Sequence, residues 1–458
     1  MTKAEPTHEG TSPAPSSRIP FVALRRKLGR AIKQGHPWIY RESIEPPAAE
    51  LAAGTIVAVG EKGAQALGWG FWDPSSAIAV RLLSKTRLAA PAAWLDERLA
   101  SALALRRAIV TTGQTNTLRL VHGEADGMAG VHVDLYDAYA SVRYDGEGAR
   151  QFYGAILATH LGPALARAFA GSPLRPLRGV LERRRGARAD SQGAPESARL
   201  LWGDAPTEPV VVKENDVLFV VDLLNGQKGG LFLDQRDNRA LIRDRARGCD
   251  VLNLFGYTGG FSLYAAKGGA RSTTTVDLSA GAIETARLNF ERNGLPLADA
   301  ELVARDAFAF LEEAQRQGRR WDLVISDPPS FAPSQKALPR ALTAYTRLHG
   351  MAAAVVKPGG IFCAASCSSH VDGPTFLETV HAGVARIGRS WREEAMHGAG
   401  VDHPVAAFFP EGAYLKFALG RMDEGPARPA PRHAPLRDER GGGPPARGSS
   451  RPPRARPR

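Results

Sequence analysis

The chain reads as an α/β protein whose second half is a doubly wound, mostly parallel sheet, preceded by a small β-rich region and a central α+β region. Three observations predict this. From about residue 250 onward, strand-like and helix-like segments alternate at the spacing of βαβ units. A glycine-rich turn, Phe255-Gly256-Tyr257-Thr258-Gly259-Gly260, follows the first of those strands directly. Before about residue 206 the pattern is different: short apolar runs are punctuated by Gly and Pro.

Residues 1–20 and 424–458 are dominated by Pro, Ser, Gly and Arg and read as disordered tails. Residues 21–90 form the β-rich region. Within it, Val22–Gln34 is expected as a short helix with Arg26, Arg30 and Lys33 on one face, followed by strands at Thr55–Val59, Ala66–Phe71 and Ala77–Leu83. Residues 91–205 mix a helix (Trp94–Val110) with strands at Val131–Leu135 and Ala138–Val142, and Gly186–Ser197 reads as a polar loop. In residues 206–423 strands are expected at Asp250–Phe255, Ser272–Asp277, Trp321–Ser326 and Gly360–Ser366. The helices between them are Phe261–Lys267, Ala280–Asn293 and Leu338–Val356, the last closed by Pro358-Gly359-Gly360.

Composition excludes some classes. No apolar run approaches the ~20 residues that cross a bilayer, and the Ser/Thr/Pro-rich start lacks the apolar core of a signal peptide. Cys249, Cys363 and Cys367 are too few, and odd in number, for a disulfide framework. A cytoplasmic protein is expected. The net charge is +12; nine arginines after Gly425, set against Asp438 and Glu439, carry +7 of it and leave +5 on the body. A basic balance of this kind fits a nucleic-acid partner, through phosphate contacts that carry no sequence preference.

The candidate cofactor site lies where open α/β sheets bind ligands, at the carboxyl ends of the strands. The turn at residues 256–260 lets the backbone approach a ligand, and Asp277, twenty-one residues after Gly256, ends the next strand where a carboxylate can hold ribose hydroxyls. The turn is not the G-x-G-x-x-G dinucleotide fingerprint, because Tyr257 and Thr258 occupy it. Arg305-Asp306-Ala307 follows the third strand and offers a carboxylate for an adenine amino group. Upstream, Gln227-Lys228-Gly229-Gly230-Leu231-Phe232-Leu233-Asp234-Gln235-Arg236 leads into a helix, and Asp234 and Arg236 are suited to a zwitterionic amino acid. Together these point to S-adenosylmethionine. The expected contacts are Phe232, Asp234, Arg236, Asn253, Phe255, Tyr257, Thr258, Gly259, Asp277, Asp306, Ala307 and Asp327. No metal is expected.

Asp327 and Cys367 lie forty residues apart at the ends of the fourth and fifth strands, which are neighbours in a doubly wound sheet. Both side chains can therefore face one substrate and are the catalytic candidates. Cys367 sits in the polar run Ser366-Cys367-Ser368-Ser369-His370, where a thiolate is plausible, whereas Cys363 and Cys249 read as core. His370 reads as a solvated loop residue.

At these residues the chain resembles the bacterial large-subunit ribosomal RNA 5-methylcytosine methyltransferases of the RlmI type. The resemblance is carried by Leu231–Arg239, Leu252–Phe261, Asp327–Phe331, Cys367–His370, Asp402-His403-Pro404, and Pro410–Lys416. His36-Pro37-Trp38-Ile39-Tyr40 is similar to the start of that family's PUA domain, an RNA-binding β-barrel, and Arg119–Gly127 to its central domain. Gly229 departs from the family, which commonly has Thr there. The resemblance implies ribosomal RNA as partner, a Rossmann-like class I methyltransferase fold, and Cys367 as a nucleophile that adds to cytosine C6. Asp327 would hold the base's N3/N4 edge. It also implies RNA binding by Arg26, Arg30 and Lys33, beside the aromatics Trp38, Tyr40, Trp69, Phe71 and Trp72, which are mostly barrel core. A monomer and a homodimer both remain open. Two rival readings stand: an RNA N-methyltransferase, because Asp-Pro-Pro-x-Phe also resembles an exocyclic-amine motif and needs no thiol, and a non-catalytic RNA-binding protein that retains the fold.

Overall fold

The computed structural model describes residues 19–184, 197–224 and 230–423. The terminal tails and most of the Gly186–Ser197 loop lie outside the described residues, as do Gln227, Lys228 and Gly229.

The N-terminal sheet comprises β1 (Phe21–Leu24), β2 (Trp38–Tyr40), β3 (Ile56–Glu61), β4 (Ala66–Trp72) and β5 (Ile78–Ser84) in the order β1-β3-β4-β5-β2, with helix α1 (Gly29–Gln34) between the first two. The expected helix Val22–Gln34 is corrected here. Val22 and Leu24 are buried at alternate positions, and Phe21–Leu24 pairs parallel to Ala58–Glu61, so a distant strand captures the first four residues. Only the six residues from Gly29 are helical. Arg26 therefore lies in the loop ahead of α1, ion-paired to exposed Glu42 at 3.2 Å, while Arg30 and Lys33 stay exposed on the helix.

The central unit contains α2 (Pro91–Thr111), β6 (Thr117–His122), β7 (Val131–Tyr136), β8 (Tyr139–Tyr144), α3 (Glu147–Ala168), β9 (Gly179–Arg184) and β10 (Ser197–Gly203). Its sheet runs β10-β9-β8-β7-β6, with β8 and β9 parallel and joined across α3. The apolar faces of α2 and α3 pack on it through Leu95, Leu99, Leu103, Phe152, Tyr153 and Leu157. A hairpin follows, β11 (Val210–Glu214) and β12 (Val217–Val221). Its two turn residues, Asn215 and Asp216, have φ of 47° and 64°, the twist-matched geometry of a two-residue loop. Val212 and Phe219 of this hairpin fill the space between Tyr136 and Leu181 of the central sheet and Leu263, Tyr264 and Phe290 of the next unit.

The last unit contains α4 (Arg236–Arg245), β13 (Asp250–Leu254), α5 (Gly260–Lys267), β14 (Ser272–Asp277), α6 (Ala280–Arg292), β15 (Ala300–Ala304) and α7 (Ala307–Arg316). It continues with β16 (Trp321–Ser326), α8 (Leu338–Ala354), β17 (Val356–Ser366), α9 (Gly373–Arg386), β18 (Ser390–His397) and β19 (Lys416–Asp423). The seven strands are ordered β15-β14-β13-β16-β17-β19-β18. The first five are mutually parallel, and β19 runs antiparallel to both β17 and β18. Alternate residues feed opposite faces, as a doubly wound sheet requires. Leu252, Val324 and Phe362 pack under α7, α8 and α9, whereas Val251, Leu323 and Cys363 pack under α4 and α5. The strand order reverses between β13 and β16, and the carboxyl ends of those strands are the ligand position.

Two further expectations are corrected. Helix α8 stops at Ala354, and Pro358-Gly359-Gly360 lies inside β17, at a register irregularity opposite β16 that tolerates the proline. Cys249 is half-buried at the edge of the core rather than inside it, whereas Cys363 is fully buried as expected. Among the described residues no helix is long and apolar enough to cross a membrane.

Candidate active site

The turn after β13 carries backbone strain. Phe255 and Tyr257 have φ of 57° and 49°, a left-handed conformation that non-glycine residues adopt at a cost of roughly 1–3 kcal/mol each. Specific hydrogen bonds hold it. Asp277 at the end of β14 accepts the Tyr257 N–H at 2.9 Å, Val276 O accepts the Gly256 N–H at 2.9 Å, and Asn289 Nδ2 donates to Thr258 O at 2.9 Å. Gly256 has no alternative: a Cβ there would sit 2.6 Å from Thr275 Cγ2 and 2.8 Å from Asn253 Nδ2.

The expected cofactor residues separate into those that face the turn and those that support it. The Asp277 carboxylate is fixed by the Tyr257 and Ser279 N–H groups, both at 2.9 Å, which leaves a lone pair on each oxygen for ribose hydroxyls. Leu278 beside it is 75% exposed, an apolar face suited to a nucleobase. Asp306 is exposed and caps α7 by accepting the Ala309 N–H at 3.0 Å. The Ala307 methyl is buried, so what this residue offers is the N–H of the first helical position, which has no partner within the helix. Phe232 packs edge-on against Tyr257 with ring centroids 5.5 Å apart, Phe255 is half-buried, and Gly259 and Thr258 are buried in the turn. This donor set fits an adenosyl group.

Two expectations fail on geometry. Asn253 is buried behind the turn, where its Nδ2 donates to Ser262 Oγ at 3.1 Å, so it braces the loop and presents no surface to a ligand. Arg236 is 3% exposed, and its two terminal nitrogens each donate to Asp402 at 2.9 Å. Its planar fork is matched to that carboxylate and is not free for a zwitterion. Asp234 differs: one oxygen accepts from the Tyr414 hydroxyl at 2.7 Å, and the side chain remains half-buried at the site.

Asp402 is the centre of a buried charged network that joins the central unit to the catalytic sheet. Besides Arg236, it accepts the Arg119 N–H at 2.8 Å and pairs with His403 Nδ1 at 3.0 Å, and its backbone carbonyl accepts from Arg106 at 2.7 Å. Arg106 in turn makes a two-pronged pair with Asp126 at 2.7 and 2.8 Å. Burial pushes the Asp402 carboxyl up, but His403 and then Arg236, through charge and hydrogen bonds, hold it far below the usual carboxylate range. His122, wedged between Arg119 and His403, is kept neutral mainly by burial and then by the neighbouring Arg119 guanidinium. The network fixes α4, and Gln235 just ahead of α4 donates to Asp327 at 2.9 Å.

Asp327 and Cys367 follow the neighbouring parallel strands β16 and β17. Their loops are tied together, because Ser368 Oγ donates to Ala332 O at 3.1 Å. Beneath them lies buried Tyr345, whose hydroxyl hydrogen-bonds Ser366 Oγ at 3.0 Å and whose ring packs on Phe331 at 4.8 Å. Burial chiefly raises the Tyr345 pKa, and Cys367 and Asp327 both add to it, so the two groups share one electrostatic neighbourhood. The structure thus brings Asp234, Tyr257, Asp277, Asp327 and Cys367 to one end of the sheet. His370 is exposed. No individual role is legible in the sequence for Gln235, Tyr414 or Lys416, although they stand in the segments Gln227–Arg236 and Pro410–Lys416, and none for Tyr345.

The basic residues Arg26, Arg30 and Lys33 lie on the N-terminal unit; Arg30 and Lys33 are one turn apart on α1, but Arg26 is off the helix, so the three share no helix face. Of the nearby aromatics, Phe71 and Trp72 are buried, and Trp38 packs on Phe409 at 4.7 Å while donating to Glu124 at 2.7 Å. Tyr40, 42% exposed, is available for stacking.

Comparison with known proteins agrees with this geometry. A family model described as S-adenosylmethionine-dependent methyltransferase matches residues 174–392, and one described as PUA-like domain matches residues 22–85. The chain is 35% identical to a ribosomal RNA large subunit methyltransferase of Deinococcus radiodurans, over 90% of this chain and all of that one. It is 33% identical to ribosomal RNA large subunit methyltransferase I of Alteromonas mediterranea, over 86% of this chain and 97% of that one. In fold it is similar to a solved SAM-dependent methyltransferase from Streptococcus mutans, with a TM-score of 0.74, 22% identity, and coverage of 88% of this chain and 100% of that one. A solved methyltransferase complexed with SAH matches equally well, with a TM-score of 0.74, 23% identity and the same coverage. With the glycine-rich turn, the carboxylates at successive strand ends and these full-length relatives together, the chain belongs to the ribosomal RNA large subunit methyltransferase I family of S-adenosylmethionine-dependent enzymes, with a PUA-like domain at its front.

Proposed function

We propose that this chain methylates C5 of a cytosine in large-subunit ribosomal RNA, with Cys367 as the nucleophile. The observation that carries the reading is the pairing of Cys367 with Asp327 on tied loops at the ends of adjacent parallel strands. The relatives named for large-subunit ribosomal RNA support the substrate class.

S-adenosylmethionine, when bound, supplies an electrophilic methyl group. In this reading Asp277 takes the ribose hydroxyls, Asp306 and the Ala307 N–H take the adenine edge, and Asp234 takes the amino group of the methionine part. Phe232, Phe255, Tyr257, Thr258 and Gly259 form the walls, while Asn253 and Arg236 brace them from behind.

Cytosine C5 is a weak nucleophile, and the target base must first leave its stack. The Cys367 thiolate then adds to C6, forming an S–C6 bond and making the former π pair available at C5. N3 takes up a proton from water as the thiolate adds and gives it back to water when the thiolate leaves; meanwhile Asp327 accepts from N4–H and N3–H, which stabilises the adduct. C5 uses its pair in the new carbon–methyl bond as the methyl parts from the donor sulfur, where the old bonding pair stays and leaves a neutral thioether. Loss of the C5 proton to a base restores the C5–C6 double bond, the S–C6 bond breaks, and its pair returns to Cys367.

The test is nucleoside mass spectrometry of a large-subunit ribosomal RNA transcript incubated with S-adenosylmethionine and either wild-type protein or Cys367→Ala. Formation of 5-methylcytidine by the wild type alone is the expected result. An N-methylated purine formed equally by both proteins would replace this reading with the exocyclic-amine one that Asp327-Pro328-Pro329-Ser330-Phe331 also resembles.

A further inference from the structure

We propose that Lys416 is a positioning residue for Cys367, its buried ammonium holding the neighbouring sulfur as a thiolate. The catalytic meaning of this rests on Cys367 being the nucleophile; the electrostatic coupling does not.

Lys416 opens β19 and pairs across the antiparallel ladder with Ser366, the residue before Cys367. Its side chain then reaches past Cys367, so that Nζ donates to the carbonyl of Ser368, the residue after it. A second bond goes to Tyr414 O at 2.8 Å. The lysine therefore clasps the cysteine's backbone from both sides. It is only 5% exposed, an unusual place for an ammonium group. Two carbonyls satisfy donors, but neither carries a full negative charge to offset the buried cation.

Among the described residues, the groups whose negative charge would favour the Lys416 ammonium are Cys367 first and Asp372 second. Asp372 is exposed, and its carboxylate already caps α9 by accepting the Thr375 N–H at 2.8 Å. Solvent screens it, which leaves the sulfur as the main countercharge. Tyr345 and Asp327 share this neighbourhood: Tyr345 is neutral at pH 7 with a raised pKa, and a carboxylate at Asp327 opposes a thiolate. Burial draws the Lys416 pKa down to about 8, so the side chain remains mostly charged at pH 7.

The test uses the full chain without RNA or cofactor. The rate at which iodoacetamide alkylates Cys367 is followed from pH 6 to 10 by peptide mass spectrometry, which separates Cys367 from Cys249 and Cys363. For Lys416→Met the alkylation midpoint should rise by about one unit or more, so that alkylation at pH 7 slows roughly tenfold; Lys416→Arg should keep the low midpoint. An unchanged midpoint in folded Lys416→Met would overturn the proposal. Where Lys416→Met does not fold, Cys367→Ser reads the same coupling from the other side, by NMR titration of the Lys416 ammonium. Its midpoint should fall when the thiolate is removed, and a constant midpoint refutes the idea. Because neither measurement involves methylation, an active Cys367→Ala enzyme would remove the nucleophile reading and leave the coupling to be judged separately.

Discussion

Asp402 offers the clearest perturbation of the scaffold. Asp402→Asn keeps the side chain's shape and removes its charge, which leaves the 3%-exposed Arg236 guanidinium with only the more exposed Asp237, at 3.1 Å from Nε, as an ionic partner. Breaking a buried pair by removing one partner costs about 3–5 kcal/mol. The retained amide oxygen can still accept one bond, so about 3 kcal/mol is expected, read as a shift in the urea midpoint of the transition that unfolds the catalytic unit. Replacing both charges, in Arg236→Met with Asp402→Leu, should recover part of the loss. Recovery stays incomplete by about 1–2 kcal/mol, because the Arg119 N–H and His403 lose their acceptor. The double variant also decides what Arg236 does. If Arg236 braces α4, S-adenosylmethionine affinity by calorimetry should stay within about threefold of wild type. If it contacts the cofactor, the lost charge-assisted bond weakens binding about tenfold or more. A loss under about 1 kcal/mol in Asp402→Asn, or tenfold weaker cofactor binding by a folded double variant, would refute the reasoning.

Other expectations follow from the same geometry. Gly256→Ala drives a Cβ to 2.6 Å from Thr275 and 2.8 Å from Asn253, so the turn must shift and calorimetry should show cofactor affinity falling more than about tenfold; near-native affinity would contradict the constraint. His349 is buried against Tyr345 and Phe376 with its pKa lowered to about 4, chiefly by burial. The unfolded chain, with a histidine near 6.5, binds the proton more readily. His349 thus contributes stability above pH 6.5 that is lost as pH falls toward 4, up to about 3 kcal/mol; His349→Phe should flatten that part of the pH–stability curve. Replacing Arg26, Arg30 and Lys33 together with Ala should weaken RNA binding and reduce the log–log salt slope by up to about 2–3 if each meets a phosphate. An unchanged slope would place the RNA elsewhere. Cys363→Ala should cost about 1–2 kcal/mol of stability and leave turnover intact, separating core from site.

Local patterns were readable from the chain, and non-local ones were not. The β13 turn, Asp277 and Asp327 stand out because strand, turn and helix are contiguous there, and a strand end dictates where its next residue points. Arg236 misled because its true partner, Asp402, lies 166 residues away. A lone arginine near a ligand loop gives no hint of being already paired. Lys416 stood in a segment that carries the resemblance, but its tie to the Cys367 loop could not be read, since its relation to Ser366 exists only once β19 has folded antiparallel onto β17. The first strand was read as helix because pairing with β3 imposes the two-residue period from outside. Helix α3 drew no expectation; Gly148, Gly154, Gly162 and Pro163 are unfavourable inside a helix, and tertiary packing of Phe152, Tyr153 and Leu157 overrides them.

The claim on which the account turns is covalent catalysis by Cys367. A large-subunit ribosomal RNA transcript made with 5-fluorocytidine bears fluorine where the C5 proton must leave, so the enzyme should stall with the S–C6 bond intact. Incubation with S-adenosylmethionine should yield a denaturant-stable protein–RNA complex, with the crosslink mapped by mass spectrometry to the peptide containing Cys367. Methylation of the ordinary transcript, with no trapped complex on the fluorinated one and undiminished activity in Cys367→Ala, would contradict the account.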